Sequence, residues 1–339
     1  MEAFSGFLLD LYRLTRQCPA EEFQDQALGL LAGRIRFEFA RWASSDMLPN
    51  GQREVRQSDL KGDPPEIYAA YREVMKLDWP MLDLLRNCTN RPGVMRYQSA
   101  ALFAAKEMAA IRQYQRRFKH ENTLMAVAKT PMEGTSHVRH MSLYRAHENH
   151  MFEDADVEFM RHALPHLLEA QVINAAVTDE RLDVVGSPAL SPSNVADCSG
   201  CLLSETPSLR ALLLAEWPNW KGPRLPSHLW EGLCREELFR GKRIVSVARR
   251  VEDLMTFRVR LRCPADDLSP RELEVARRLS AGDSHKQLAQ RPAIPPTTAR
   301  NHVQRIHAKL GARNIADVVT ALSGLTMGVA LPPSRSQST

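Results

Sequence analysis

The residues best suited to chemistry in this sequence lie in a short basic segment near its end, PPTTARNHVQRIHAKLG (295–311). Arginine, asparagine and glutamine side chains hydrogen-bond to base edges in the DNA major groove, and lysine, arginine and threonine contact phosphates. From Ser284 to Asn314 the chain has six lysine or arginine residues and no aspartate or glutamate. DNA phosphates would supply the counter-charges that this segment lacks.

The spacing within the segment predicts an amphipathic helix. Its apolar residues recur at intervals of three and four, at Ala299, Val303, Ile306 and Leu310. Such a stripe packs toward a core. The opposite face has short neutral hydrogen-bonding side chains at its centre and cations at its edges, which is the arrangement that a helix in the major groove requires. An ordinary solvated basic helix is the alternative interpretation.

Helix start and stop signals divide the surrounding chain into four short helices. A capping box at Ser269–Glu272 opens the first, and Gly282 ends it. A second capping box begins at Ser284, Gly311 ends the third helix, and Asn314 opens the fourth. Because the second and third helices are joined by only a few residues, the pattern is typical of a helix-turn-helix.

The segments LSPRELEVARRLSAG (268–282) and IPPTTARNHVQRIHAKLGARNIADVV (294–319) resemble the LuxR-type (GerE-like) helix-turn-helix domain of bacterial transcription regulators. The resemblance covers residues 266–325 and implies an all-α domain of four helices. In that family the third helix enters the major groove, and the fourth commonly pairs two copies.

Carried over position by position, the resemblance implies three groups of site residues in this chain. The base-reading residues are Arg300, Asn301 and Gln304. The phosphate contacts are Lys286, Thr297, Thr298, Arg305 and Lys309. The residues of the dimer helix are Val318, Ala321 and Leu325.

The sequence departs from the family pattern around the turn. Pro292 and Pro295 stand where the family usually has a leucine and a serine or threonine N-cap, and Ala299 replaces a usual valine. Proline offers no capping oxygen, which costs helix three about 1 kcal/mol. These differences leave an alternative function open: a protein-interaction partner that heterodimerises with another regulator and has lost specific operator recognition.

Helical and strand patterns alternate in the first 174 residues. Amphipathic helices are predicted at Met1–Arg16, Ala20–Ile35, Pro64–Leu85, Ala104–His120 and Asp156–Asn174. Strands are predicted at Phe37–Ala43, Asn122–Ala128 and His137–Tyr144. This alternation predicts an α+β domain. The region resembles the GAF/PAS-like sensor domains that precede such DNA-binding modules, including the autoinducer-binding kind.

That resemblance implies a candidate ligand pocket formed by Tyr68, Tyr71, Asp78 and Trp79. The tyrosine-to-aspartate spacing is shorter than in autoinducer-binding domains, and Trp79 stands where a proline follows the aspartate there. An aromatic stripe at helical spacing is more often part of a core than of a ligand site, so both interpretations stay open.

A second unit, 175–262, begins with a serine- and proline-rich loop near 186–200. Helices are predicted at Ser208–Trp217 and Leu229–Phe239, and strands at Arg243–Val251 and Leu254–Arg262. In the last strand apolar residues alternate with arginines, the pattern of a strand with one buried face. We expect a small PAS-like α/β domain here, and a disordered polar tail at 331–339.

Other combinations of reactive residues are less specific. Cys198 and Cys201 form a C-x-x-C pair in the predicted loop, which indicates free thiols, with redox sensing as the alternative. His162 and His166 have the i, i+4 spacing of metal ligands, but Pro165 lies between them. The sequence has no recognisable nucleotide-binding or hydrolase motif. We therefore expect no enzyme activity, no metal and no cofactor.

Length and charge complete the expectations. A chain of 339 residues is long enough for several domains, and its net charge of +5 permits an anionic partner. Glu2 and Asp10 disfavour a secretory signal, and no apolar run is long enough to span a bilayer, so we expect a cytoplasmic protein without membrane contact. The predicted function is sequence-specific transcription regulation as a homodimer on double-stranded DNA. The N-terminal region would sense an unknown ligand, such as a small molecule, or a partner.

Overall fold

The computed structural model describes residues 2–47, 53–88, 91–132, 135–182, 193–203, 205–281 and 296–323. These residues form two antiparallel sheets with flanking helices, followed by a helical C-terminal domain. The expected order, an α+β region followed by an all-α C-terminal domain, is confirmed. The predicted tail at 331–339 lies outside the described residues.

The first sheet has five antiparallel strands in the order β2-β1-β5-β4-β3. They are β1 (Phe39–Met47), β2 (Arg53–Lys61), β3 (Gly93–Gln98), β4 (Asn122–Met132) and β5 (Thr135–Arg145). The three central strands are those that the sequence predicts. The two edge strands, β2 and β3, are missed, because an edge strand pairs on one side only and tolerates charged residues.

Helices cover both faces of this sheet. On one face lie α1 (Glu2–Gln17), α2 (Ala20–Ala32) and α7 (Asp154–Leu182). On the other lie α3 (Ile67–Val74), α4 (Trp79–Asn87), the short α5 (Ser99–Leu102) and α6 (Ala109–Arg117). Residues alternate between the faces along β1, so Ala40 and Trp42 pack toward α7 and Arg41 points the other way, toward α6. The sheet therefore has a separate core on each side.

The predicted helix at Pro64–Leu85 is interrupted. After α3 a short 3-10 turn follows at Met75–Leu77, and Asp78 leaves the helical conformation at φ −79° and ψ 62°. Helix α4 then begins at Trp79, with Pro80 in its first turn, where proline needs no amide partner. The interruption places Asp78 at the junction of two helices.

Helix α7 is shared by the two sheets. It runs for 29 residues and crosses the expected domain boundary at 174/175. Pro165 lies inside the helix and does not end it. The C-terminal part of α7 packs on the second sheet, where Val172 and Ala175 meet Val195 and Leu254. The first and second units are therefore joined by a continuous helix as well as by side-chain contacts.

The second sheet has four antiparallel strands in the order β6-β9-β8-β7. They are β6 (Asn194–Asp197), β7 (Leu238–Arg240), β8 (Ile244–Val251) and β9 (Leu254–Leu261), and the helices are α8 (Pro207–Glu216) and α9 (Ser227–Glu236). Strand β6 lies within the predicted loop, of which 186–192 are outside the described residues.

Two sequence predictions in the second unit are wrong in detail. The helix expected to reach Phe239 ends at Glu236, because Glu237 adopts a left-handed conformation at φ 53°. In β9 the arginines were expected to face solvent, yet Arg258 and Arg260 are buried. Each has a carboxylate partner from another element, Asp179 and Asp266 respectively.

The C-terminal domain is described through three helices: α10 (Pro270–Ser280), α11 (Pro296–Leu310) and α12 (Ile315–Ser323). The predicted capping box is confirmed, since Ser269 Oγ accepts from the Glu272 amide and Glu272 Oε2 accepts from the Ser269 amide. Gly311 ends α11 at φ +62°. The start and stop signals predicted at Gly282, Ser284, Pro292 and Pro295 lie outside the described residues.

Candidate nucleic-acid interface and buried polar sites

Helix α11 has the two faces that the sequence predicts. Val303, Ile306 and Leu310 are buried in the core of the C-terminal domain, while Gln304 and Arg305 are exposed. The backbone of residues 296–301 is helical, but their side chains, including those of Thr297, Thr298, Ala299, Arg300 and Asn301, are outside the described part of the structure. Lys286 is outside it altogether.

Lys309 already has a partner within the domain. Its Nζ donates to Glu272 Oε2 at 2.6 Å and to the backbone oxygen of Asp267 at 3.1 Å. The hydrogen bond from Lys309, together with that from the Ser269 amide, lowers the pKa of Glu272 to about 2. The local sequence suggests that this helix has no internal counter-charge. The structure shows one, because Glu272 of α10 pairs with Lys309. A phosphate contact by Lys309 stays a prediction.

The last strand of the second sheet is linked directly to the C-terminal domain. Arg260 and Arg262 of β9 pair with Asp266 and Asp267, which lie in a 3-10 turn just before α10. The backbone oxygen of Asp267 in turn accepts from Lys309 at the end of α11. A short chain of polar contacts therefore runs from β9 to the end of the helix expected to enter DNA.

The expected dimer helix, α12, presents residues other than those the resemblance implies. Val318 is fully buried in the core of its own domain and Ala321 packs partly against that core, so Val318 is not available to a partner. Leu325 lies outside the described residues. Ile315 and Val319 are 47% and 43% exposed, and they lie one turn apart on the outer face.

Two of the four candidate pocket residues come together on the α3–α6 side of the first sheet. Tyr71 Oη donates to Asp78 Oδ2 at 2.5 Å, and both residues are buried. Tyr68 is only half-buried and lies outside this cluster. Trp79, the first residue of α4, is 40% exposed and does not contribute to a buried site.

The residues that surround this pair are not found by sequence reasoning. Arg53 Nη2 of β2 donates to Tyr71 Oη at 2.6 Å, and Arg41 Nη2 of β1 donates to Tyr114 Oη at 3.1 Å. The guanidinium carbons of Arg41 and Arg53 lie 4.9 and 5.4 Å from the centroid of the Tyr71 ring. We call Arg41, Arg53, Tyr71, Asp78 and Tyr114 the arginine–tyrosine cluster.

Several buried polar atoms in and around this cluster have no hydrogen-bond partner among the described residues. They are Arg41 Nε, Arg53 Nε, Asp78 Oδ1 and His140 Nδ1. Burial, together with the charges of Arg53 and Arg41, lowers the pKa of His140 well below its usual value. Buried polar groups are normally satisfied, so such a concentration of unpartnered atoms is typical of a place that binds water or a polar ligand.

A second buried cluster lies between the two sheets. His137 Nδ1 of β5 is 3.0 Å from Asp46 Oδ1 of β1, and its Nε2 is 3.0 Å from Asp197 Oδ2 of β6. The second approach is a charge contact rather than an aligned hydrogen bond. Asp46 also accepts from Arg224 at 2.7 Å and from Arg56 at 3.0 Å. The histidine thus connects the first sheet to the second.

A cavity of about 260 Å³ opens beside this contact, between α2, β2, α7 and the turn that joins β8 to β9. Asp59 and Asp253 line it with Lys61. Burial and the nearby charge of Asp59 raise the pKa of Asp253 to about 6. Its lining has five carboxylates and one lysine, so the cavity is acidic at neutral pH.

The other sequence candidates have ordinary local partners. His162 bonds to Glu158 and His166 to Tyr12, each at 2.9 Å. Burial and the charge of Asp197 raise the pKa values of Cys198 and Cys201 to about 11 and about 12. Both are free thiols that stay protonated at neutral pH, which disfavours redox sensing. In the described part of the chain no trio of histidine, cysteine, aspartate or glutamate is placed to hold a metal ion.

Residues 266–322 match the family described as bacterial regulatory proteins, luxR family. The C-terminal domain is therefore a LuxR-type helix-turn-helix domain. The protein is a DNA-binding transcription regulator that carries an α+β region before that domain. No curated protein matches the chain.

Three solved structures are similar to the chain at low identity. The N-acylhomoserine lactone dependent LuxR family transcription factor CepR2 from Burkholderia cenocepacia is 16% identical, with 54% of this chain and 99% of that chain covered and a TM-score of 0.38. Escherichia coli SdiA is 14% identical, with coverage of 95% and 97% and a TM-score of 0.39. The VqsR LBD domain from Pseudomonas aeruginosa is 15% identical, with coverage of 53% and 99% and a TM-score of 0.34.

Proposed function

We propose that the protein regulates transcription by binding a specific DNA sequence as a dimer, under the control of a small molecule bound in the first α+β unit. The observation that carries the DNA-binding part is the division of α11 into a buried apolar stripe and an exposed polar face, within the segment that matches the LuxR-type family. The ligand-binding part rests on the unpartnered polar atoms of the arginine–tyrosine cluster.

On DNA, α11 would lie in the major groove and its exposed face would read base edges. Arg300, Asn301 and Gln304 would be the base readers, since arginine pairs with guanine and the two amides pair with adenine. Arg305, which is exposed and forms no described ion pair, would contact a phosphate. Lys286, Thr297, Thr298 and Lys309 complete the proposed phosphate contacts.

The dimer would form through the outer face of α12. Ile315 and Val319 supply exposed apolar side chains one turn apart, and burial against a second copy would remove both from water. Two copies related by a two-fold axis place their reading helices on half-sites about 10 bp apart or a multiple of that spacing. We therefore propose a palindromic operator.

The ligand signal would pass through the second sheet. The pairs of Arg260 with Asp266 and of Arg262 with Asp267 fix the start of the DNA-binding domain against β9. A change in the position of β9 relative to the first sheet would therefore reorient α10 and α11. Allosteric control requires that the ligand stabilise one of two such arrangements.

The location follows from the function. A regulator of bacterial transcription acts where the chromosome is, so we propose the cytoplasm. Among the described helices none is long and apolar enough to cross a membrane.

A selection of random DNA duplexes by the full-length protein tests the proposal. The enriched duplexes are then titrated by fluorescence anisotropy between about 50 and 200 mM salt, a range over which binding through phosphates alone falls about 10³-fold or more. A two-fold symmetric motif that still binds at the upper salt concentration supports the proposal. Weak binding without enrichment contradicts it and favours the alternative of a heterodimerising partner.

A further inference from the structure

We infer that the arginine–tyrosine cluster binds an organic anion through a carboxylate, with Arg41 and Arg53 as its counter-charges. The inference rests on the proposed function, in which this side of the first sheet binds a small molecule, and it adds the chemical class of that molecule. The buried arginines of the protein differ in whether they have a carboxylate partner.

Four arginines of the described residues are buried: Arg41, Arg53, Arg258 and Arg260. Two of them, Arg258 and Arg260, have carboxylate partners, Asp179 and Asp266. Arg41 and Arg53 have no described carboxylate within ion-pair distance, although they are only 6% and 8% exposed. A buried guanidinium without a carboxylate is unfavourable, because arginine cannot lose its proton to become neutral. The protein thus compensates two buried arginines internally and leaves two uncompensated.

Arg41 lies on β1, an interior strand of the sheet, and has few polar partners among the described residues. Its guanidinium donates to Tyr114 Oη, while Nε is buried and has no partner among the residues that the structure describes. The aromatic rings of Tyr71 and Tyr144 lie 4.9 and 6.0 Å from its guanidinium carbon. Aromatic rings stabilise a cation, yet they do not satisfy its N–H groups.

Arg53 approaches the same Tyr71 ring from the edge strand β2. It donates to Tyr71 Oη, and its Nε has no partner. Because both guanidinium groups lie close to one tyrosine ring, an anion bound beside that ring can receive hydrogen bonds from both. Carboxylates accept paired guanidinium N–H groups in a planar geometry that favours binding.

The acids on this side of the sheet are bonded to neutral groups instead of to the arginines. Asp78 accepts from Tyr71, and Asp63 pairs with His120 at 2.9 Å. Burial lowers the pKa of His120, although Asp63 opposes that effect. Their charges act on the arginines only from a distance. They leave the free N–H groups of Arg41 and Arg53 without acceptors.

The surroundings specify the rest of the ligand. Apolar side chains from the sheet and the helices pack around the cluster, among them Ile111, Met125 and Val138. A carboxylate attached to a compact apolar body therefore fits better than an inorganic ion. Benzoate and octanoate are simple probes of this class.

The test measures binding of sodium benzoate and sodium octanoate to the full-length protein by thermal shift and titration calorimetry. Benzamide and octanamide, which have the same shape without the charge, serve as matched probes. We expect the carboxylates to raise the melting temperature in a concentration-dependent way and the amides to leave it unchanged. Arg41→Met and Arg53→Met should each weaken carboxylate binding about tenfold or more. Arg116→Met removes an exposed arginine of α6 and should bind as the unaltered protein does.

Folding of the variants is checked without ligand. Arg41→Met removes an uncompensated buried charge, so its melting temperature should equal or exceed that of the unaltered protein. If Arg41→Met lowers it instead, Arg41 is a structural residue and the inference fails. Arg41→Lys, which retains a positive charge, should still distinguish octanoate from octanamide.

The outcomes separate this inference from the proposed function. If acid and amide bind equally and Arg41→Met has no effect, the inference that the ligand is an anion is wrong. The proposal that the protein binds a small molecule then still holds. No binding of either probe class overturns both the anionic class and small-molecule sensing at this cluster. The duplex selection tests specific DNA binding, and its result does not depend on the outcome of the ligand-binding experiments.

Discussion

Glu272 connects two helices of the DNA-binding domain through one carboxylate. It accepts from the Ser269 amide at 2.8 Å, which caps α10, and from Lys309 Nζ at 2.6 Å, which fixes the last turn of α11. Lys309 therefore has to leave a formed ion pair to contact a phosphate, whereas Arg305 has no described partner to leave. We therefore expect Arg305 to be the more effective phosphate contact of the two.

Two single substitutions in α11 separate base reading from phosphate binding. Gln304→Ala should cost about 1–3 kcal/mol on the selected duplex and relax the preference at one position. Arg305→Ala should weaken binding to all duplexes alike and reduce the salt dependence by about one unit of slope. Anisotropy titrations with the selected and a scrambled duplex, over several salt concentrations, measure both quantities.

Arg271→Ala is the matched control for these variants. Arg271 is partly exposed on α10 and pairs with Glu274 of the same helix. Arg271→Ala should leave the affinity for DNA, the sequence specificity and the salt dependence of binding unchanged. Identical profiles for Gln304→Ala and Arg305→Ala would show that α11 is not divided into reading and phosphate-binding residues.

Two neighbouring valines of α12 have different environments. Val318 is buried among the core residues of α10 and α11, while Val319 is on the outer face. The family resemblance indicates which helix pairs two copies, and on that basis it implies Val318 as a dimer residue. It does not indicate which face of the helix is turned outward. Packing against α10 decides which face that is.

The two valines give a paired prediction. Val318→Ala should lower the free energy of unfolding by about 1–3 kcal/mol, because it removes buried methyl groups and leaves a small cavity. Val319→Asp should leave folding unchanged and weaken self-association, since a charge would be buried between the copies. Urea denaturation and sedimentation velocity measure the two effects. A protein that self-associates normally with Val319→Asp does not use this face.

Local signals decide how well each element is predicted. Helix α10 is predicted almost to the residue, because its start has a proline and a capping box that act within four residues. Strands β2, β3, β6 and β7 are missed, because their pairing partners and their burial come from distant parts of the chain. The long helix α7 is predicted too short at its C-terminal end, since its last turns are stabilised by the second sheet.

At the scale of the whole molecule, His137 joins the two sheets through charge. Burial lowers its pKa, but the close contacts with the negative charges of Asp197 and Asp46 outweigh burial, and the net shift is upward. Both ring nitrogens face carboxylates, so the histidine satisfies both only when it is protonated. The nearby cations are Arg224 and Arg56, which both pair with Asp46, and Arg139.

The raised pKa of His137 predicts a pH-dependent stability. A group whose folded pKa is raised stabilises the fold fully below its unfolded pKa, about 6.5, and loses that contribution as the pH rises through the folded value. The free energy of unfolding should therefore decrease from pH 6 upward as His137 deprotonates. Urea denaturation at a series of pH values between about 6 and 9 measures it.

His137→Gln isolates this contribution from that of other groups, such as Asp253, that titrate nearby. The variant should lower stability at pH 6 and lose much of the pH dependence, while the amide still hydrogen-bonds one carboxylate. A pH dependence that is the same in both proteins would assign the effect elsewhere.

The DNA-binding domain can be predicted from local sequence signals. Its capping box, its stripe of Val303, Ile306 and Leu310 and its cluster of cations are signals between residues a few positions apart, and such signals can be read along the chain. The residues that form the buried sites can be identified only from the tertiary structure. Arg41, Arg53 and Tyr114, like Asp46, His137 and Asp197, are distant in sequence and come together through strand pairing and helix packing. No local pattern records whether a charged side chain will be buried, or whether a carboxylate will be there to meet it, because both depend on the contacts of the whole fold.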